Sequence, residues 1–127
     1  MASESNLKRV SLELGGKAPN IIFADSDLEA ALQGTLRGIY FNQGEVCCAG
    51  SRLFVEDKVH DKFLEMLKSA AEKIVVGNPM DPKTQMGAQV SEEQFKKILS
   101  YVEKGKAEGA KVVTGGAPAA TKGYFVK

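Results

Sequence analysis

The sequence predicts an α/β fold of three layers, in which helices flank a mostly parallel β-sheet. Segments typical of strands and helices alternate along the 127 residues, in the order strand, helix, strand, helix, helix, strand. The strand segments are mostly continuous apolar runs, which is the pattern of parallel strands covered on both faces. The length suits one domain, and 43% hydrophobic with 26% charged residues is the balance of an ordinary globular protein.

The strands are predicted from short apolar or alternating runs bounded by turn-forming residues. Residues 10–14 alternate toward apolar and stop at Gly15 and Gly16, which predicts a short strand or an extended segment that ends in a turn. The other predicted strands are residues 20–24, 52–55, 111–114 and 124–126.

The helices are predicted from apolar residues that recur three and four positions apart. They cover residues 28–41, 58–75 and 91–109. Ser26 and Glu29 have the spacing of a capping box before the first helix, and Ser91 with Gln94 repeats that spacing before the third. Asp57 stands where it can cap the second helix.

The charge and the termini exclude several classes of partner. The formal net charge is +1, whereas a nucleic-acid or membrane surface requires concentrated positive charge. No apolar stretch approaches the roughly 18 residues of a membrane span, and the N-terminus has no apolar signal core. We therefore expect neither a nucleic acid nor a membrane as partner, and a cytoplasmic location.

The two cysteines, Cys47 and Cys48, are adjacent. Neighbouring cysteines rarely form a disulfide because its geometry would be strained, and no second pair is present to bind a metal. Small and polar residues flank them after the first helix ends, and a short second helix is predicted at residues 45–47. A turn there would point backbone N–H groups outward, which would stabilise a thiolate and an oxyanion. The alternative is that both thiols are inert and buried in a tight turn.

Glu13 lies between Leu12 and Leu14. A carboxylate in apolar surroundings suits a general base, whereas a solvent-facing position on a strand would carry no chemistry. His60 is the single histidine, and its charged neighbours predict an exposed helix start without a catalytic partner. The sequence contains neither GxGxxG nor GxxxxGK[ST], so it predicts no phosphate-binding loop.

Two longer motifs contain the thiols and the carboxylate: LELGGKAPN at residues 12–20 and FNQGEVCCAGSR at residues 41–52. Through them the chain resembles the NAD(P)-dependent aldehyde dehydrogenase superfamily, whose glutamate and cysteine motifs occur in this order. The likeness continues through VVGNP at residues 75–79, QFKK at 94–97 and GYF at 123–125. The resemblance implies that residues 1–127 are part of the catalytic domain of such an enzyme, without its N-terminal cofactor-binding domain.

The same resemblance implies a role for individual residues. Cys47, not Cys48, corresponds to the nucleophile, and Glu13 corresponds to the general base. The Cys47 thiolate would add to an aldehyde, oxidation by the cofactor would leave a thioester, and Glu13 would activate the water that releases the acid. Leu14 would border the nicotinamide, and Gln94 and Lys97 would contact the adenosine ribose.

The resemblance also sets expectations for the chain in isolation. The family's oxyanion-hole asparagine and a ribose-binding glutamate have no counterpart in this sequence. We therefore expect NAD or NADP to serve the full-length enzyme, and the isolated chain to bind no cofactor and to leave aldehydes unoxidised. The alternative function is a folding or interaction module with vestigial chemistry. Missing neighbours would leave sheet edges and apolar faces open, which favours a homo-oligomer.

Overall fold

A computed structural model describes residues 3–119 and 122–127 of the chain. Its elements are β1 (Pro19–Ile22), α1 (Leu28–Tyr40), a 3₁₀ helix (Phe41–Gly44), β2 (Arg52–Val55), α2 (Asp57–Ala71) and α3 (Glu92–Ala107). None of the helices in the described part is both long and apolar enough to cross a membrane.

The sheet consists of β1 and β2, which pair in parallel from Pro19 opposite Arg52 to Ile22 opposite Val55. Helix α1 makes the crossover that two parallel strands require, so the three elements form a βαβ unit. The α/β class and the parallel pairing predicted from the sequence are confirmed.

The strands predicted at residues 111–114 and 124–126 are not formed. Val126 makes only an isolated antiparallel bridge with Pro118. Val112 and Val113 remain 44% and 46% exposed. A strand requires a neighbour that completes its hydrogen-bond ladder. Residues 111–114 pair with no strand in the described part of the chain, and the pairing of residues 124–126 stops at this single bridge.

The core lies between one face of the sheet and helices α1 and α2. It centres on the buried side chains of Ile22, Leu32 and Phe63, of which Phe63 is fully enclosed. Burying such a side chain contributes about 1.5–3 kcal/mol. The opposite face carries Ile21, Phe23 and Phe54, which are 56%, 61% and 52% exposed and which we call the open sheet face.

Two of the helix starts differ in their caps from the prediction. Asp27, not Ser26, caps α1, because its carboxylate accepts hydrogen bonds from the N–H groups of Glu29 and Ala30. Asp57 is the first residue of α2 and does not cap it. The preceding residue, Glu56, makes no capping bond either, because its Oε2 accepts the N–H of Ala24 at 2.8 Å and ties the end of β1 to α2.

The start of α3 agrees with the sequence prediction, whereas the end of α2 does not. Ser91 caps α3 as predicted, with its hydroxyl accepting the N–H of Gln94 at 3.1 Å. Helix α2 ends at Ala71, four residues before the predicted end. Val75 lies outside the helix, because its N–H donates to the side-chain Oε1 of Gln85 at 3.0 Å and not to the carbonyl of Ala71.

Candidate functional site

Cys47 and Cys48 lie on a turn between the 3₁₀ helix and β2, and both thiols are free and exposed. The exposure removes the alternative of two buried, inert cysteines. The short helix predicted at residues 45–47 is absent. Asn42, Gln43 and Gly44 adopt left-handed φ angles of 50°, 59° and 78°, so the chain turns out of the helical path before it reaches the thiols.

Tight turns fix the backbone on both sides of the thiols. The N–H of Glu45 donates to Asn42 at 2.9 Å, and the N–H of Ala49 donates to Val46 at 3.1 Å. Within the described residues, the N–H groups of Cys47 and Cys48 have no hydrogen-bond acceptor. An unpaired N–H beside a nucleophile is the donor that an oxyanion needs. We call residues 42–50 the thiol turn.

The segment with Glu13 forms no strand and pairs with none in the described part of the chain, so the short strand, one of the two alternatives predicted for residues 10–14, is not formed. Glu13 is exposed, and its neighbours Leu12 and Leu14 are 71% and 69% exposed. The apolar surroundings inferred from the two leucines are therefore absent here, because the described residues place nothing against this segment.

The glutamate motif and the cysteine motif meet in space. A Cβ placed on Gly16 would lie 3.7 Å from the carbonyl oxygen of Cys47. The guanidinium Nε of Arg52 donates to the carbonyl of Lys17 at 2.8 Å. Glu13 stands only three residues before this contact, so the fold brings the two motifs that carry the predicted nucleophile and base to one place.

The residues predicted to contact a cofactor occupy two separate elements. Gln94 and Lys97 lie one turn apart on α3, with Gln94 half-buried and Lys97 exposed, whereas Leu14 lies on the extended segment. An amide and an ammonium can donate to the hydroxyl oxygens of a ribose, so the chemistry of this pair fits a nucleotide sugar.

A cavity of about 370 Å³ lies beside the thiol turn. It is lined by residues of the turn, of α3 and of the segment before α3, among them Tyr40, Gln43, Glu45, Gln89 and Gln94. Burial raises the pKa of the Tyr40 phenol. The Oε1 of Gln89 is buried without a partner in the described part of the chain. Sequence reasoning missed Gln43, Glu45 and Gln89, since no spacing signal joins residues so far apart in the chain.

The fold and the thiol turn define an α/β protein that presents an accessible thiol beside a carboxylate-bearing segment. The model of the aldehyde dehydrogenase family matches residues 1–127. The chain therefore belongs to the aldehyde dehydrogenase family.

Known relatives show how much of the family's length this chain represents. It is 54% identical over 126 residues to the human mitochondrial aldehyde dehydrogenase, covering 99% of this chain and 24% of that protein. It is 51% identical to aldehyde dehydrogenase 1A1 of the horse, covering 25% of it. The chain thus spans about a quarter of the length of these relatives.

Solved structures agree with the fold. The NAD⁺ complex of an aldehyde dehydrogenase from Bacillus cereus superposes with a TM-score of 0.90 at 47% identity, covering 99% of this chain and 26% of that one. Betaine aldehyde dehydrogenase from Staphylococcus aureus, also with NAD⁺, gives 0.88 at 43% identity, covering 98% and 26%.

Proposed function

We propose that this chain supplies the nucleophile and the general base of a complete aldehyde dehydrogenase that oxidises aldehydes to carboxylic acids. The observation that carries the proposal is the exposed thiol of Cys47 on a turn that contacts the glutamate motif at Gly16. A thiol nucleophile and a carboxylate base on neighbouring segments suit a reaction that proceeds through a covalent intermediate.

The residues of the chain act in sequence. The Cys47 thiolate forms a C–S bond to the aldehyde carbon while the carbonyl electron pair moves to oxygen, and the unpaired N–H of Cys47 donates to that oxyanion. A nicotinamide cofactor, when bound, would supply the acceptor for the hydride that leaves this carbon. As that C–H bond breaks, the electron pair of the oxyanion re-forms the C=O bond, and a thioester on Cys47 remains. Glu13 takes a proton from water, whose oxygen attacks the thioester carbon. The C–S bond then breaks, which releases the acid and restores the thiolate.

The cofactor of the complete enzyme is NAD in this proposal, with NADP as the alternative. The NAD⁺ complexes of the Bacillus and Staphylococcus relatives support NAD. Gln94 and Lys97 would hold a ribose, and Leu14 would border the nicotinamide. The isolated chain binds no cofactor in this proposal, because three quarters of the relatives' length lies outside it.

The test is a chimera in which this chain replaces the matching segment of the human mitochondrial relative. We expect aldehyde-dependent formation of NADH by the chimera. Cys47→Ser should lower kcat by about 10⁴-fold or more, as loss of a nucleophile does. Glu13→Gln should lower it by about 10²–10⁴-fold, the contribution of a general base. Aldehyde oxidation that survives Cys47→Ser in a folded chimera would overturn the proposal.

Cys48→Ser is the matched control, since Cys48 is the adjacent, equally exposed thiol. We expect this variant to keep nearly the full activity of the chimera. If Cys48 proved essential and Cys47 dispensable, the nucleophile would be Cys48 and the proposed assignment would be wrong.

The exposed thiol also favours a second activity for the isolated chain, because acyl transfer from an activated ester to Cys47 needs no cofactor. Slow release of nitrophenol from nitrophenyl acetate, lost in Cys47→Ala, would support it. An interaction module with vestigial chemistry instead predicts that Cys47 is alkylated no faster than Cys48 across the pH range.

The cytoplasm is the proposed location of the complete protein, because two free, exposed thiols suit a reducing compartment. The mitochondrion is the alternative that the relatives' names suggest. Microscopy of the tagged complete protein distinguishes the two compartments.

A further inference from the structure

The left-handed turn before Cys47 requires something to hold it. Asn42 and Gln43 both have a Cβ, and L-residues with a Cβ rarely adopt a positive φ. Consecutive residues of this kind persist only when surrounding contacts determine their conformation. Gly44 completes the turn at φ 78°, where a Cβ would lie 3.1 Å from the carbonyl oxygen of Ile39.

Two side chains of the thiol turn bind one segment that lies 45 residues further along the chain. The Nε2 of Gln43 donates to the carbonyl of Ala88 at 3.1 Å. The Oε1 of Glu45 accepts the N–H of Val90 at 3.2 Å. Together they engage backbone groups on both sides of Gln89, so the turn is held at two points.

The segment 88–90 is itself fixed and leads directly into α3. The N–H of Gln89 donates to the carbonyl of Tyr124 at 2.8 Å, and Gln89 is only 7% exposed. Val90 precedes Ser91, the residue that caps α3. The thiol turn is therefore tied, through two hydrogen bonds and the short segment around the buried Gln89, to the helix that carries Gln94 and Lys97.

We propose that Gln43 and Glu45 are positioning residues, which hold the thiol turn in register with α3 so that Cys47 is presented as the reactive thiol. The inference rests on the proposed function, in which Cys47 is the nucleophile. Neither side chain touches the reacting atoms in this account. They act through the left-handed turn, which sets the direction of the Cys47 N–H and thiol.

The test compares alkylation of the two thiols by iodoacetamide within the same purified chain, from neutral to alkaline pH, with each site quantified by peptide mass spectrometry. Cys48 serves as the internal reference. We expect Glu45→Ala and Gln43→Ala to lower the ratio of Cys47 to Cys48 alkylation several-fold at neutral pH. Glu45→Gln, whose side-chain oxygen still accepts the Val90 N–H, should keep the ratio of the unsubstituted chain.

Gln33→Ala is the matched control. Gln33 makes a side-chain hydrogen bond of similar length, 3.2 Å to Glu29, but on the exposed surface of α1. It should leave the alkylation ratio unchanged. If Glu45→Ala lowers the thermal midpoint but keeps the ratio, the contact is only structural and the inference is wrong.

Two further outcomes are decisive. If Glu45→Ala unfolds the chain by circular dichroism, Glu45→Asp, which keeps the carboxylate but is one methylene shorter, is measured in its place. Unfolding of both, with Glu45→Gln folded, would make Glu45 a structural residue and overturn its assignment. Equal alkylation of both thiols in the unsubstituted chain would show that the thiol turn does not single out Cys47, and it would overturn the inference. The proposed function is tested separately, by the Cys47→Ser variant of the chimera.

Discussion

At the scale of single residues, exposure does not distinguish Cys47 from Cys48. Both thiols are accessible, and both N–H groups lack an acceptor within the described residues. The distinction rests on the resemblance of the sequence motif, through which we propose Cys47 as the nucleophile. The structure adds that this turn contacts the glutamate motif, and that Gln43 and Glu45 hold it from the segment before α3.

Arg52 should keep the two motifs together. Its Nε donates to the carbonyl of Lys17, and its guanidinium lies 5.9 Å from the Phe54 ring. We expect Arg52→Ala to increase hydrogen exchange in residues 10–18, because the extended segment loses a side-chain anchor. Mass spectrometry of peptides from that segment measures the effect. Arg37→Ala, on the exposed surface of α1, is the control, and equal exchange in both variants would show that Arg52 does not anchor the segment.

For single residues, the sequence indicated candidates that lie within contiguous motifs, but it did not indicate contacts between residues that are far apart in the chain. Cys47 and Glu13 could be proposed as site residues because each lies within a contiguous motif, and their roles stay predictions. The sequence did not indicate a role for Glu45. Its partner Val90 is distant in the chain, and a bond to a backbone N–H does not depend on which side chain the partner carries. The sequence left open whether Glu13 lies in apolar surroundings or faces solvent, since flanking leucines do not show what covers them, and the structure has it exposed.

At the scale of elements, periodicity predicted the helices and the paired strands well. Helix α1 ends within one residue of its prediction, and β2 matches at both ends. These boundaries follow from the local pattern of apolar residues. The strands expected at residues 111–114 and 124–126 did not form, because a strand depends on a partner that its own sequence does not specify.

The cap of α1 gives a direct test of the corrected helix start. Asp27→Ala removes the acceptor for two N–H groups, so it should lower the free energy of unfolding by about 1 kcal/mol. Urea denaturation followed by circular dichroism measures the loss. Ser26→Ala should change the stability far less, because Ser26 does not cap the helix. If Ser26→Ala lowered the free energy of unfolding more than Asp27→Ala does, Ser26 would be the cap, as the sequence predicted.

Tyr40, the last residue of α1, should make stability depend on alkaline pH. Burial raises the pKa of its phenol above the ordinary 10.0, so the folded state favours the neutral form. This contribution is complete below the unfolded pKa and is lost as the pH rises through the folded pKa. We therefore expect Tyr40→Phe to lose less stability than the unsubstituted chain between about pH 9 and pH 11.

Denaturation curves across that pH range measure the difference. Tyr101→Phe is the control, because it removes a phenol that is 62% exposed on α3 and not a buried one. The same alkaline slope in Tyr40→Phe and in the unsubstituted chain would refute the role assigned to Tyr40.

At the scale of the whole molecule, the open sheet face is the main departure from a self-contained domain. Parallel sheets are normally covered on both faces, yet Ile21, Phe23 and Phe54 are each more than half exposed. Val10, Leu12 and Leu14 are exposed as well, at 61%, 71% and 69%. The chain spans only a quarter of its relatives' length, and an apolar face of this kind favours association.

We predict that the isolated chain forms dimers or larger assemblies in a concentration-dependent manner. The double variant Ile21→Thr and Phe54→Thr, which places threonine, a residue that favours strands, at both positions, should shift it toward the monomer. Light scattering coupled to size exclusion measures the mass. Met80→Ser, which changes an 86% exposed residue outside this face, should not shift it. A monomer at every concentration for the unsubstituted chain would refute the prediction.

In the proposed reaction Cys47 forms the covalent bond to the substrate, and trapping the acylated cysteine tests this assignment. In the chimera carrying Glu13→Gln, slow hydrolysis should let the thioester accumulate when aldehyde and NAD⁺ are supplied. Mass spectrometry of the peptide that contains both thiols should then locate the acyl group on Cys47. An acyl group on Cys48, or a folded chimera that oxidises aldehyde without acylating either cysteine, would contradict the account.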